Sequence, residues 1–457
     1  MTEGAHARHL QDALRLARHH RDRAAWSRGE LLAEQTAALR RLLAHAKAHV
    51  PFHAARLAGV DPERADVTSL ARVAPVDKRA MLDAWDATVA DATLTRARAE
   101  AHVAAIAADG EHRYLDARYT VLETSGTTGT RGVHVWDWDE LALVFGSGIA
   151  FQSAVGRRLG LPPPTRRVSM AAAGPQHATA ALAMIFQGPR SPFALERLPA
   201  SLPFEARVAA LERAPPDQLH AYPTLLPALL AETEAGRLDV RPRVVLVSSE
   251  RSPPGLRARV ASTWGGVLLD VWAATEALLA TAPCEYGAIH VREDLVLLEP
   301  VDAAGRPVPP GETSAATYLT TLYAYAQPVI RYKLSDRVRF GEAPCPCGSA
   351  YAHIDAVEGR EDPLIHLPGG GLVHPVALYD VLSRHAQLVE YRAAFVDARV
   401  VVELAARAPI DEAKLALELR AVLTRAGAGE VPLELRWADA LSRGASGKLA
   451  PATARAV

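Results

Sequence analysis

The sequence ETSGTTGTRG, residues 123–132, places three glycines among hydroxyl side chains directly after the apolar residues Val121 and Leu122. A strand that leads into such a turn brings backbone N–H groups close to an anion, commonly phosphate. A Walker-type loop carries a lysine after its last glycine, whereas Thr130 and Arg131 follow Gly129 here. The stretch therefore predicts either a phosphate loop whose cation comes from elsewhere or a simple mobile connector.

Composition limits the class of protein. The chain has 457 residues, of which 49% are hydrophobic, so about two to three domains or subdomains are expected. Its formal net charge is -1, which provides no electrostatic reason to expect nucleic acid or an anionic membrane as a partner. The charged N-terminal residues and the lack of a long apolar run predict a cytoplasmic protein.

Hydrophobic periodicity predicts an α/β protein. Residues 8–47 show the spacing of two amphipathic helices that are broken near 26–29. Strand patterns then alternate with helical ones up to about residue 275, which indicates a parallel sheet covered by helices. Short strand patterns after residue 283 indicate an antiparallel, barrel-like region, and EGREDP (358–363) precedes a small α+β domain.

The segment DVWAATEA (270–277) offers groups that suit a nucleotide. Glu276 provides a hard oxygen ligand for a magnesium ion that bridges phosphates, Thr275 adds a hydroxyl, and Trp272 presents a flat face to a purine. The alternatives are a core tryptophan and a solvated surface glutamate.

Two further segments carry charged groups. In QPVIRYKLSDRV (327–338), Asp336 suits both hydroxyls of a ribose, and the alternative is a surface ion pair with Arg331. In SRGASGKLAP (442–451), Lys448 lies in a flexible Gly/Ser loop, and the alternative is a frayed basic tail.

In this order and at these separations, TSGTTG, WAATE, PVIRYKLSD followed by EGRED, and RGASGK resemble the adenylate-forming superfamily of acyl-CoA synthetases, adenylation domains and luciferases. The resemblance covers nearly the whole chain. It is greatest to the phenylacetate-CoA ligase branch, on account of HVPFHAARLAGVDPERADVTSLARVAPVDK (49–78), the length and the cysteine pattern. It implies a large N-terminal domain (1–359) of helix-covered sheets plus a distorted β-barrel, and a small mobile α+β domain (360–457).

The resemblance also implies roles for individual residues. Thr275 would contact the α-phosphate of ATP, Glu276 would bind Mg2+, and Lys448 would swing in with the C-terminal domain to contact the α-phosphate and the substrate carboxylate. Glu361 or Asp362 would lie at the hinge. The implied nucleotide-binding residues are Ser125, Gly126, Thr127, Thr128, Gly129, Glu250, Asp270, Trp272, Asp336 and Arg360, and the implied substrate pocket contains His177, Tyr222, Ser248, Ala273 and Ala274.

Some positions depart from the family pattern. Trp272 and Ala273 replace the usual tyrosine and glycine, Ser335 replaces the glycine before the ribose aspartate, and Thr130 replaces a basic residue after the loop. None of these changes removes a required functional group, so an active enzyme is expected.

The three cysteines and one histidine form a second pattern. Cys284, His290, Cys345 and Cys347 suit a tetrahedral structural zinc ion, with His353 as a rival ligand. The alternative is three buried thiols, since cysteine is among the most buried residue types.

The expected function is an AMP-forming ligase that activates a small aromatic carboxylic acid with ATP and Mg2+ and transfers it to coenzyme A. One alternative passes the acyl group to the phosphopantetheine thiol of an acyl carrier protein or to an amine. A second is a catalytically silent nucleotide-binding homologue. A monomer or homodimer is expected, without nucleic acid or membrane partners.

Overall fold

The computed structural model of the chain describes residues 2–124, 132–187, 191–250, 252–253, 255–278, 280–360, 365–366, 372–373, 378, 381–382, 385, 387–425 and 428–442. Within these ranges, no helix is both long and apolar enough to cross a membrane.

Helices and strands alternate along most of the described chain. The helices are α1 (Thr2–His19), α2 (Arg28–His49), α3 (Pro51–Arg56), α4 (Lys78–Asp83), α5 (Arg96–Asp109), α6 (Trp138–Arg158), α7 (Ala178–Ile185), α8 (Phe204–Arg213), α9 (Leu226–Glu234), α10 (Leu256–Trp264) and α11 (Glu412–Arg425). Short 3-10 helices span Arg21–Ala25, Pro62–Arg64, Val67–Arg72, Trp85–Ala87 and Pro223–Leu225. The strands are β1 (Tyr119–Glu123), β2 (Val133–Asp137), β3 (Arg166–Ala171), β4 (Ala194–Pro199), β5 (Gln218–Ala221), β6 (Val244–Ser248), β7 (Val267–Val271), β8 (Thr281–Pro283), β9 (Ile289–Val291), β10 (Val296–Val301), β11 (Ala316–Thr321), β12 (Tyr332–Leu334), β13 (Asp336–Phe340), β14 (His353–Arg360), β15 (Ile365–His366), β16 (Leu372–Val373), β17 (Leu388–Val396), β18 (Arg399–Ala406) and β19 (Leu433–Trp437).

The two N-terminal helices are separated where the sequence predicts a break. Ser27 caps α2 through a capping box, in which its hydroxyl accepts from the backbone N–H of Glu30 while the Glu30 carboxylate accepts from the backbone N–H of Ser27. Helix α1 packs against α6 at Gly146, where a Cβ atom would lie only 2.6 Å from the carbonyl oxygen of Ala13. A side chain at that position would therefore force the two helices apart.

A five-stranded parallel sheet forms the centre of the fold, as the alternating pattern predicts. Its strand order is β4-β3-β5-β6-β7, and every neighbouring pair is parallel. Helices α8, α9 and α10 cover one face through a core of leucine, valine and alanine side chains, and the C-terminal half of α6 packs against the other. Because all strands run the same way, their carboxyl ends meet at one edge, where ligands of such sheets bind.

Strands β8 to β14 pair antiparallel, as predicted for the region after residue 283, and they form two sheets. One has the order β10-β11-β12 and the other the order β13-β14-β9-β8. An isolated bridge between Thr313 and Arg339 joins them. The α/β fold class expected from the sequence is confirmed.

The C-terminal residues form a separate hydrophobic core. Strands β17, β18 and β19 lie side by side, the first pair antiparallel and the second parallel, and α11 packs on them through Leu415, Leu419 and Leu423. The sequence predicts these elements through the strand patterns LVEYRAAFV, RVVVELAA and PLELRWA and the helical pattern DEAKLALELRAVLTRAG, and all four elements are present. The domain boundary between residues 359 and 360 remains a prediction.

The pH dependence of stability should report on His53, which joins α3 to the loop before β12. Its Nε2–H donates to the carbonyl oxygen of Pro328, its Nδ1 accepts from Arg56, and burial lowers its pKa to about 4. Between about pH 6.5 and pH 4 the unfolded chain therefore takes up a proton that the folded chain excludes, so stability falls as pH falls. We expect this site to contribute a slope of about 1.4 kcal/mol per pH unit to the free energy of unfolding.

Urea unfolding of the wild type and of His53→Leu between pH 7.5 and pH 4.5 measures this contribution. The variant should be less stable at pH 7.5 but should lose less stability on acidification, whereas replacement of the exposed His49 by leucine should not change the slope. Equal slopes for the wild type and His53→Leu would contradict the assignment.

Candidate active site

The candidate ligand residues Tyr222, Ser248, Glu250 and Asp270 lie at or just beyond the carboxyl ends of β5, β6 and β7. Tyr222 and Ser248 are buried and the other two are half-buried. The Glu250 carboxylate accepts from the hydroxyl of Thr224 (2.6 Å), and that of Asp270 accepts from Ser252 (2.5 Å). Burial raises the pKa of Asp270. The parallel sheet therefore gathers residues that are about 50 positions apart in the sequence at one edge.

His177 reaches the same edge from the segment after β3. It occupies the N-cap position of α7 and is 6% exposed. Its predicted role in the acid pocket is compatible with this position and remains a prediction.

Trp272 differs from a simple stacking platform. Its side chain is only 7% exposed and packs in the largest hydrophobic cluster, and its carbonyl oxygen accepts from the hydroxyl of Thr281. The burial of the ring favours the core alternative considered for this residue. Ala273 is exposed, and Ala274 is half-buried.

Glu276 is a buried carboxylate, 7% exposed, between two polar side chains. The hydroxyl of Tyr332 donates to its Oε1 (3.1 Å), and Nε2 of His134 lies 3.9 Å from the same oxygen. Burial lowers the pKa of His134, so this imidazole is neutral at neutral pH and does not balance the carboxylate charge. Glu276, with the half-buried Thr275 beside it, thus provides the hard anionic oxygen that Mg2+ prefers.

Lys78 is a candidate residue that the motifs did not single out. Thr124 and Gly132 exchange two hydrogen bonds across the neck of the loop 125–131, and the Lys78 ammonium donates to the Thr124 hydroxyl (3.1 Å). A Cβ atom on Gly132 would lie 3.2 Å from both Lys78 Cε and His134 Nε2. Lys78 ends the early segment that carried the family resemblance, but that segment gave no sign that its lysine reaches this loop.

Asp336 opens β13, and its backbone is paired in register with Arg360 on β14. The two residues predicted to hold the ribose are therefore neighbours across one ladder. Arg331 forms an ion pair with Glu299 (3.1 Å), which gives this arginine a partner other than the Asp336 considered as the alternative. The positive φ of Arg331 (49°) turns the chain just before β12.

The Cys/His cluster is assembled from three separate segments. The ligand atoms of Cys284, His290, Cys345 and Cys347 all lie within 4.8 Å of one another. The Nδ1–H of His290 donates to the carbonyl oxygen of Tyr351 (3.0 Å), which leaves Nε2 facing Cys347 Sγ at 3.2 Å.

The chemistry of this donor set suits a bound cation. Burial and the neighbouring thiols raise the pKa of Cys345 to about 12, so a bound cation would be needed for this thiol to ionise at neutral pH. Arg158, paired with Glu285 (2.6 Å), has favourable electrostatic interactions with Cys347 and Cys284. The rival His353 lies outside the group, with its Nε2 3.1 Å from Asp355. The arrangement therefore favours His290 as the fourth ligand.

Several predicted site residues lie outside the described residues, and their roles stay predictions. They are the loop residues Ser125, Gly126, Thr127, Thr128 and Gly129, the hinge candidates Glu361 and Asp362, the side chain of Arg360, and Lys448.

Comparisons with known proteins agree with the motif order. No family model matches the sequence. A phenylacetate-coenzyme A ligase from Thermus thermophilus is 29% identical over 131 residues, which is 28% of this chain and 27% of that relative. A 2-hydroxyisobutyryl-CoA ligase superposes with a TM-score of 0.68 at 17% identity, covering 93% of this chain and 90% of the other. The anthranilate CoA ligase AuaEII superposes with a TM-score of 0.51 at 18% identity, covering 72% and 65%. The chain therefore has the fold of the acyl-CoA and aryl-CoA ligases of the adenylate-forming superfamily, which confirms the resemblance that its ordered motifs predict.

Proposed function

We propose that the chain is an ATP-dependent, AMP-forming ligase that adenylates an aromatic carboxylic acid and transfers the acyl group to coenzyme A. The main support is the arrangement of Lys78, His134 and Glu276 around the neck of the loop 125–131. A cation and a buried carboxylate beside a Gly/Ser/Thr loop suit a bound nucleotide triphosphate with its magnesium ion.

The chemistry demands charge neutralisation. A substrate carboxylate that attacks the α-phosphorus of ATP brings two negative groups together, so positioned cations lower the barrier. Lys78 would neutralise the outer phosphates from the neck of the loop, and Lys448 would neutralise the α-phosphate and the carboxylate. Mg2+, held by Glu276, would neutralise phosphate charge. The neutral His134 leaves the Glu276 carboxylate free to act as an anion.

The acyl adenylate is a mixed anhydride that water hydrolyses. A C-terminal domain that closes over the site would exclude water until the thiol attacks. The proposed second substrate is the thiol of coenzyme A. This thiol must be able to reach the acyl adenylate at the acid-binding edge of the sheet after the first step.

An acid panel tests the proposal. Purified protein is incubated with ATP, Mg2+ and benzoate, phenylacetate, anthranilate or 2-hydroxyisobutyrate, with and without coenzyme A, and the products are measured by mass spectrometry. We expect AMP and pyrophosphate with at least one aromatic acid, and its CoA thioester when coenzyme A is present. AMP without a thioester would favour a carrier-protein or amine acceptor, and no AMP with any acid would contradict a ligase.

Lys78 provides a second prediction. Lys78→Met should lower kcat/KM for ATP about 10- to 100-fold, because it removes a cation beside the phosphates. Lys78→Arg should retain part of the activity. The matched control is Arg79→Met, since Arg79 is exposed and pairs with Asp83 on the surface of α4. If Lys78→Met and Arg79→Met have the same steady-state constants as the wild type, Lys78 does not act on the phosphates.

We also propose that Cys284, His290, Cys345 and Cys347 hold a structural zinc ion. Such an ion would join the β8–β9 hairpin to the start of β14, the strand that ends at Arg360. Three thiolates, one neutral imidazole and Zn2+ would carry a net charge of -1, and Arg158, which also pairs with Glu285, would interact favourably with it. The ion would have no open coordination position and no part in the reaction.

Metal analysis of the purified protein tests this site. We expect one zinc ion per chain in the wild type and in His353→Ala, and loss of zinc with a lower Tm in His290→Ala and Cys345→Ser. A strong chelator should lower the Tm of the wild type in the same way. A metal-free protein with an unchanged Tm, or loss of zinc on replacement of His353 but not of His290, would refute the assignment.

A further inference from the structure

Three polar side chains form a hydrogen-bonded chain across the central sheet. Ser169 on β3 bonds through its hydroxyl to Nδ1 of His220 on β5 (2.9 Å), and Nε2 of His220 bonds to the hydroxyl of Ser248 on β6 (2.9 Å). Ser169 and His220 are direct partners in the strand register. This hydrogen-bonded chain thus crosses the adjacent strands β3, β5 and β6 and ends at Ser248, the last residue of β6.

This polar chain lies on the face of the sheet that α6 covers. The alternating neighbours Leu219 and Ala221 point into the leucine-rich core on the opposite face. The register partner of His220 on β6 is the apolar Leu246, which packs with Val155 of α6. Burying polar side chains costs free energy unless they are hydrogen-bonded, and here the three groups satisfy one another only in part.

His220 is neutral within this chain. Burial alone lowers its pKa to about 4, so at neutral pH one ring nitrogen donates and the other accepts. The three groups can therefore align in either direction. In one alignment Nε2–H donates to Ser248, whose own O–H is then available to donate. In the other, Ser248 donates to Nε2 and offers only oxygen lone pairs to a further partner.

The two serine hydroxyls have hydrogen-bonding capacity left over. Each makes one side-chain hydrogen bond within the described residues, to His220, although a hydroxyl can donate once and accept twice. Both serines are buried, at 8% and 7% exposure, while His220 as a whole residue is half-buried. Because solvent reaches part of His220, the three residues border a space rather than closed core.

That space lies at the acid-binding edge of the sheet. Ser248 precedes Glu250 by two residues, and its register partner Val271 directly precedes Trp272. Gln176, in the segment after β3, also has a buried side-chain oxygen that accepts no hydrogen bond from the described residues. Buried hydroxyls with unused hydrogen-bonding capacity suit a ligand that carries complementary groups.

We propose that the Ser169–His220–Ser248 chain is the specificity element of the acid pocket and selects carboxylic acids whose acyl group carries an uncharged hydroxyl or amino substituent. The inference rests on the proposed function and adds the substrate class to it. A reversible chain of neutral groups accommodates either a donor or an acceptor, whereas it supplies no charge to balance an ionised substituent. An apolar substituent at this place would leave the buried chain without a partner.

The test compares pairs of acids that differ only in one substituent, such as hydroxybenzoates against methylbenzoates at each ring position, in a pyrophosphate-release assay. We expect the wild type to favour the hydroxyl member of at least one pair by about 10- to 100-fold in kcat/KM. His220→Leu should reduce this ratio to near one, chiefly by lowering kcat/KM for the hydroxyl acid. His220→Gln, which keeps a donor and an acceptor, should restore part of the preference.

His102→Leu is the matched control, because His102 is a partly buried histidine of α5 that bonds to the carbonyl oxygen of Arg113. This substitution should leave the ratio of kcat/KM between the two acids of a pair unchanged. The Tm of each variant shows whether it has folded. A wild type that adenylates both members of every acid pair equally well would overturn this inference but not the proposed function. The same holds for a His220→Leu variant in which kcat/KM falls equally for both members of a pair. Absence of AMP formation with every acid would overturn the proposed function as well.

Discussion

The pairing of Thr124 with Gly132, the two residues that flank residues 125–131, is the interaction on which the candidate site depends. Two hydrogen bonds join these two residues, and the antiparallel pairing of β1 with β2 sets their register. The absence of a side chain on Gly132 lets Lys78 and His134 approach this neck. A larger residue at position 132 would displace Lys78 and His134, and His134 is one of the two polar side chains beside Glu276.

The residues of the site come from separate layers whose relative positions are set by packing. The parallel sheet supplies Glu250 and Asp270, the segment after β7 supplies Glu276, and the antiparallel sheets supply Tyr332 and Asp336. Tyr332 connects two of these layers, because its hydroxyl reaches Glu276 while its strand leads directly into the one that begins with Asp336. The Cys/His cluster lies at the other end of β14, so a bound ion would stabilise the ladder that pairs Asp336 with Arg360.

The candidate site uses buried polar groups in two different ways. Around Glu276, a buried carboxylate has a hydroxyl and an imidazole as its neighbours, and its oxygens suit a metal cation. Across β3, β5 and β6, three neutral side chains hydrogen-bond to one another, and their hydroxyls can form further hydrogen bonds, which suits an uncharged substituent. This difference is the basis on which we propose one place for phosphates and magnesium and another for the acyl group.

The sequence by itself determined the α/β class, the parallel sheet, the antiparallel region and most of the C-terminal elements, because hydrophobic periodicity reports directly on local structure. It also pointed to the candidate site residues, because its ordered motifs resemble those of one superfamily, and the roles of these residues remain predictions. Tertiary structure alone decided which groups meet. It brought Lys78 to Thr124, paired Arg331 with Glu299 and buried Trp272. It also placed His290, and not His353, within the Cys/His cluster. Finally, it aligned Ser169, His220 and Ser248 in one hydrogen-bonded chain. These contacts join residues far apart in the chain, and their distances depend on how layers pack, which no local pattern in the sequence specifies.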